Sequence, residues 1–362
     1  MNEREAWLLL GEAVVRFGLD AMALAEEEGG ALAAVAAPAD RLAAAADVTV
    51  ARAASYVQWR DRADPGAQLA RLASLGIGFL CPADDAFPES LRTIYRPPVA
   101  LYYAGQLEAL GRPCVAIVGA RKASGYGLGV AKRLATGLAR AGVCVVSGLA
   151  HGVDAAAHTG ALAAAGGVTA AVLGCGVDVC YPANHRGLME RIKASGCALS
   201  EFAPGTPPLR HHFPMRNRLV SGLSLGVAVV EATTASGSLI TANFALEQGR
   251  ELFAVPGDID RPLSAGPNGL LRQGAIPATC TADILEQLGL AAPAAEPRQG
   301  VLLTPEEQWL LELLEARGVH ADWLAEQASA RVGGPAALSL ALTGLVTKGL
   351  AKRLPGNRYS RV

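Results

Sequence analysis

Four short stretches gather the residue types that can hold an anion. The first, Gly119-Ala-Arg-Lys-Ala-Ser-Gly-Tyr-Gly127, follows the apolar run Cys114–Val118. Small residues let a backbone approach a phosphate, and the N-terminus of the following helix supplies free N–H groups. Arg121 and Lys122 add charge. This is neither a Walker A loop, since no Gly-Lys-Ser/Thr follows, nor a clean G-x-G-x-x-G. A tight strand-to-helix turn with solvated charges is the plainer alternative. The second stretch is Ser147-Gly-Leu-Ala-His-Gly-Val-Asp-Ala-Ala-Ala-His158. Gly148 and Gly152 keep its backbone bare. His151 and His158 lie seven apart, a poor match to the i, i+4 pair of a helical metal site. Asp154 and His158 therefore read first as local structural residues.

The third stretch, Glu201 to Gly222, places Arg210, His211, His212, Arg216 and Arg218 within nine residues, with Phe202 and Phe213 near. Cations that track a backbone, interleaved with rings that stack on bases, suit a single nucleic-acid strand. The competing reading is a solvated helix face. Arg216 and Arg218, two apart, share a target only near that helix's N-terminus. The fourth stretch, Glu231-Ala-Thr-Thr-Ala-Ser-Gly-Ser-Leu-Ile-Thr241, offers the hydroxyls of Ser236 and Ser238 around Gly237.

The elements that must position these loops are legible. Short apolar, β-branched runs recur at 114–118, 143–146, 168–173, 226–230 and 251–255, with helical stretches between them. That alternation implies an α/β domain over 67–290 with a doubly wound parallel sheet, ligands binding at the carboxyl ends of its strands. Residues 1–62 are rich in Ala, Leu and Glu and read as a small helical domain. Ala291 to Gly300 is a Pro/Ala linker. Thr304-Pro-Glu-Glu307 opens three helical stretches, at about 305–317, 320–330 and 335–348. A hairpin turning at Pro355-Gly-Asn357 ends the chain, so 301–362 suggests a winged helix.

The 362 residues carry a net charge of −1, but residues 114–230 carry 11 basic and 4 acidic side chains. A basic middle attracts phosphate even in a near-neutral chain. Seven cysteines without a C-x-x-C exclude a disulfide framework or zinc site by spacing, and Cys114, Cys144 and Cys197 sit in apolar runs as reduced core residues. No metal or cofactor is expected. With no signal-peptide pattern and no convincing membrane span, a cytoplasmic location is expected.

Seven motifs spread over about 140 residues resemble, in order, those of the DprA (Smf) family of DNA-processing proteins. They are Val118-Gly-Ala-Arg121, Ser147-Gly-Leu-Ala-His-Gly-Val-Asp154, Tyr181-Pro-Ala-Asn184, Ser200-Glu-Phe202, Phe213-Pro-Met-Arg-Asn-Arg218, Ser236-Gly-Ser-Leu-Ile-Thr-Ala242 and Phe253-Ala-Val-Pro-Gly257. The resemblance implies a Rossmann-like domain between a helical (SAM or helix-hairpin-helix-like) module and a winged-helix module. It implies a protein that is not an enzyme. It would bind and protect incoming single-stranded DNA during natural transformation and help load RecA for homologous recombination, acting as a homodimer. By motif position, Gly119, Ala120 and Arg121 would grip phosphate, Arg216, Asn217 and Arg218 would form the basic element, and Ser236, Gly237 and Ser238 the third loop. Lys122, Ser147 and Gly148 join them from the reading of the loops, with Phe202 and Phe213 as base-stacking candidates. Leu270, Leu271 and Ile276 are candidates for the dimer face, a core role being the alternative.

Two features depart from a duplex reader. The helix 335–348 has one basic residue, whereas major-groove readers present Arg, Lys, Asn or Gln. Lys348, Lys352, Arg353, Arg358 and Arg361 lie on or before the wing, so phosphate contact at most, or a protein-binding role, is expected there. Two other functions fit the sequence less well. A nucleotide phosphoribohydrolase needs a catalytic acid close to the third loop, and the next acid is the displaced Glu247. A dinucleotide oxidoreductase needs a ribose-binding acid after the second strand, where Ser147-Gly148 stands.

Overall fold

The computed structural model describes residues 1–291, 303–315, 318–328, 334–347 and 350–361. All of the expected linker 291–300 except Ala291, and also Lys348, lie outside the described residues. The chain divides into two compact units, Met1–Pro293 and Ala294–Val362. Its fold is mixed α/β, with a helical N-terminal region and a C-terminal unit that carries its own small sheet.

In the larger unit nine strands form one sheet: β1 Gly78–Leu80, β2 Leu101–Gly105, β3 Cys114–Val118, β4 Cys144–Ser147, β5 Thr169–Val172, β6 Cys197–Ser200, β7 Gly226–Val229, β8 Glu251–Ala254 and β9 Ile276–Pro277. Their order is β1-β2-β6-β5-β4-β3-β7-β8-β9. The seven strands from β6 to β9 are parallel, while β1 and β2 form an antiparallel edge. That edge differs from the all-parallel expectation. β1 is three residues long, and β2, although five, is built on a Tyr-Tyr pair ending in glycine that gives little periodicity to read.

The pleat sends alternate residues of each strand to opposite faces. Ala116, Val118, Val146, Val227 and Val229 join one core with the helices His212–Gly222 and Ser238–Glu247. Val115, Ile117, Val145 and Ala228 join another with Gly125–Arg140 and Val153–Ala161. Both faces are therefore covered, which is why β3, β4 and β7 are buried along their whole length. Cys114, Cys144 and Cys197 are buried in the first of these cores.

The chain moves from β3 outward through β4, β5 and β6, then returns to place β7 on the other side of β3. The helix after β3 packs on one face and the helix after β7 on the other. Their preceding loops therefore part and leave a crevice, the topological switch point of an open α/β sheet. At the far edge, the helical region buries Trp7, Leu8, Leu9 and Leu10 in a core shared with Phe79 and Tyr102.

The smaller unit has helices Pro305–Leu313, Ala321–Ala328 and Pro335–Thr347 around Leu310, Leu324 and Leu342. Thr304 and Glu307 form a reciprocal capping box. Its strands are β10 Val319–His320, β11 Ala351–Leu354 and β12 Arg358–Arg361, paired antiparallel in the order β10-β12-β11.

Candidate single-strand binding cleft

The loops after β3, β4 and β7 and the start of the helix His212–Gly222 enclose a cleft of about 840 Å³. Gly119 begins the first loop because nothing larger fits: a Cβ there would lie 2.7 Å from Val153 Cγ2 and 2.9 Å from the Glu231 carbonyl oxygen. Ser124 caps the helix that follows by accepting from the Gly127 N–H at 3.1 Å. The buried Glu231, at the end of β7, clasps this loop. Its carboxylate accepts from the Ser124 N–H (2.8 Å) and Oγ–H (2.6 Å), while its carbonyl accepts from the Ala120 N–H (2.6 Å). The first and third loops thus hold a fixed separation. The sequence reading did not single out Glu231; its signal was an acid placed directly after a wholly apolar strand.

The second loop is held from within. Asp154 accepts from the N–H groups of Gly148 (3.1 Å) and Ala150 (3.3 Å), the local role expected of it. Burial pushes its carboxyl above the usual carboxylate range, opposed by the Arg216 charge and by these hydrogen bonds. His158 is wholly buried with Nδ1 2.7 Å from Thr169 Oγ1, and burial brings its pKa down to about 3. Ser147 donates to the Ile117 carbonyl at 2.7 Å and does not face the cleft as a donor.

The basic helix departs most from expectation. Arg216 is only 4% exposed. Its Nη1 donates to the Gly148 carbonyl at 2.9 Å and to the Val172 carbonyl, so the guanidinium ties β5 to the second loop while also lining the cleft. Gly148 makes room for it, since a Cβ there would fall 2.5 Å from Arg216 Nη2. Arg218 forms a two-pronged pair with the buried Glu201, at 3.0 and 2.6 Å. Both arginines are occupied by protein groups. Asn217, between them, donates to the Gly237 carbonyl at 3.3 Å and joins this helix to the third loop. There Ser236 and Ser238 meet through their hydroxyls at 2.8 Å.

Of the two aromatic candidates, Phe202 is corrected. It is 0% exposed, and its ring stacks on His212 at 3.9 Å, so it has no open face for a base. Phe213 lines the cleft, 5.5 Å from the exposed ring of Tyr181 and with the Arg121 guanidinium 5.5 Å above it. Arg121, Lys122 and Arg210 line the cleft, are exposed, and make no salt bridge among the described residues. Leu270 is also corrected: it is 7% exposed and packs in the core. Leu271 is half-buried against the same core, and Ile276, on the edge strand β9, is half-buried against the core of the opposite face. Glu247 ends the helix that begins at Ser238, about 14 Å away at 1.5 Å per residue, too far to act in the third loop.

The family model of DNA recombination-mediator protein A matches residues 78–289, which include every loop of this cleft. The chain belongs to that family. Within it, the DNA processing protein DprA of Streptococcus pneumoniae is 46% identical over 204 residues, 56% of this chain and 72% of that one. The X-ray structure of DNA processing protein A from Streptococcus pneumoniae matches with a TM-score of 0.69 at 34% identity, over 79% of this chain and 99% of that one. The structure of DNA processing protein A from Helicobacter pylori, described by its single-stranded DNA binding mode, matches at 0.52 and 33% identity, over 59% of this chain and 95% of that one. In DNA recombination-mediator protein A terms, the helical region 1–62 lies before the matched segment and the small C-terminal unit after it. No helix among the described residues is long and apolar enough to cross a membrane.

Proposed function

We propose that the cleft binds single-stranded DNA by its backbone and bases, and that the chain protects such strands in natural transformation and helps load RecA onto them. The observation that carries the reading is the trio of unpaired cations, Arg121, Lys122 and Arg210, set around the Tyr181–Phe213 aromatic pair. Cations with stacking rings bind single strands with little sequence preference. Family membership and the described binding mode of the Helicobacter pylori protein support it. Gly119, Ala120, Gly148, Ser236, Gly237 and Ser238 supply the close-approach backbone and hydroxyls. Ser147, Asn217, Arg216 and Arg218 act by shaping the loops. No catalytic step is part of the proposal.

The nine-stranded unit reads as a Rossmann-like domain over 67–290, with 1–62 as a helical module and 301–362 as a winged helix. Dimerisation would use the β9 side, where Leu271 and Ile276 are partly open. A fluorescent oligonucleotide, single-stranded or duplex, titrated across a salt series tests the reading. Three engaged cations give a slope of log K against log salt near −2, at about −0.7 per phosphate on a single strand. Tighter binding to the duplex, or no dependence on salt, would overturn it.

A further inference from the structure

A second groove lies on the helical region, between the helices Val50–Arg60 and Pro65–Ser74. Trp59, Arg62 and Arg71 line it. The acidic groups around it are already engaged. Asp64 caps the second of these helices by accepting from the Ala67 N–H at 2.8 Å. Asp61 pairs with Arg60 at 2.8 Å, and Glu12 pairs with Arg16. Arg62 and Arg71 are exposed, and their guanidinium groups have no hydrogen-bonded or ionic partner among the described residues. Trp59 is half-buried, and the Arg16 guanidinium lies 5.4 Å from its ring. Phe17 and Tyr56 also pack 6.0 Å from that ring, so the groove presents two spare cations beside a partly covered indole.

The two sites are bordered by one segment of backbone. The groove continues into a neighbouring hollow that shares Trp59 and Arg71 with it and is closed on its other side by Pro204 and Gly205. The same segment runs on to Pro208 and Arg210, which line the main cleft. One stretch of backbone, 203–210, thus borders both.

We propose that a single strand longer than the cleft continues along this segment onto the helical region, where Arg62 and Arg71 take phosphates and Trp59 takes a base. This rests on the reading of the main cleft as a single-strand site. The occupant is nucleic acid because cations and ring recur along one path, and because backbone contact and stacking need no sequence readout. An acidic peptide on the same arginines would not couple to strand length.

The test compares oligonucleotides of about six and about thirty nucleotides, the shorter within the usual span of a single site, on the full chain and on Arg62→Ala/Arg71→Ala. Both changes are at exposed positions, and a thermal melt checks folding. The double variant should bind the short strand as the parent does. It should bind the long strand about tenfold more weakly, with the salt slope shallower by about 1.4, at ~0.7 per lost phosphate contact. Unchanged long-strand binding in the double variant, while the parent binds both lengths, overturns the extension and leaves the cleft reading intact. Equal weakening at both lengths also overturns it, because the arginines would then act on the cleft. A parent that binds neither length overturns the cleft reading itself.

Discussion

Arg216 and Arg121 lie in neighbouring stretches of the same cleft, yet their replacement should fail in opposite ways. Arg216→Ala removes a buried guanidinium that donates to the carbonyls of Gly148 and Val172 and opposes the burial of Asp154. An orphaned buried acceptor costs about 1–3 kcal/mol. Two carbonyls, those of Gly148 and Val172, are orphaned together, so we expect a loss of about 3 kcal/mol. At about 1.6 °C per kcal/mol for a unit of this size, from ~2.1 cal/mol/K per residue, that lowers Tm by roughly 5 °C. Arg216→Lys keeps a charge but not a fork that reaches two carbonyls, and should recover only part of the loss. Arg121→Ala removes an exposed cation whose one ring contact is Phe213. It should leave Tm within about 1 °C, as surface changes do, and weaken single-strand binding about tenfold, the value of a charge-assisted contact of about 1.5 kcal/mol. Differential scanning fluorimetry and fluorescence anisotropy on the same samples separate the two. An Arg216→Ala protein that keeps its Tm while losing DNA would refute the strut assignment and return Arg216 to the role its motif position suggested.

Phe213→Ala should weaken a single strand by about 1–3 kcal/mol per stacked base while leaving duplex binding unchanged, measured by competition between the two. Gly148→Ala places a methyl against the Arg216 guanidinium and should lower both Tm and DNA affinity, with limited proteolysis showing cleavage near the second loop. Acid stability should depend on His158. Its folded pKa, about 3, lies below the ordinary 6.5, so the unfolded state takes up protons first. Its contribution is complete above pH 6.5 and is lost progressively as pH falls toward 3. Urea melts of His158→Gln should lose less between neutral pH and pH 4 than those of the parent. Asp154 runs the other way, since a raised carboxyl is protonated first in the folded state, and so it cannot produce the acid loss.

What could be read from the sequence was what depends on local pattern. The strands β3, β4, β5, β7 and β8 announce themselves because burial on both faces demands unbroken apolar runs, and the glycine loops follow because only small residues fit where loops close on one another. β1 and β2 were not legible, β1 being only three residues long and both being joined to the sheet by antiparallel pairing that no spacing encodes. The site divides along the same line. Arg121 and Lys122 follow a strand and precede a helix, so local order places them at the crevice. Arg216 and Arg218 look equally free in a linear reading, and only the return of the chain from β6 through the helix His212–Gly222 to β7 sets them against the Gly148 carbonyl and Glu201. Phe202 was misread for a related reason: a ring next to a basic stretch looks available until the long-range stack on His212 closes it. A basic motif therefore reports where a cleft is built, while the division between residues that build it and residues that meet the strand is decided by burial. Here both arginines of the conspicuous Arg-Asn-Arg element are bonded to protein groups, and the proposed site assigns phosphate to the exposed Arg121, Lys122 and Arg210.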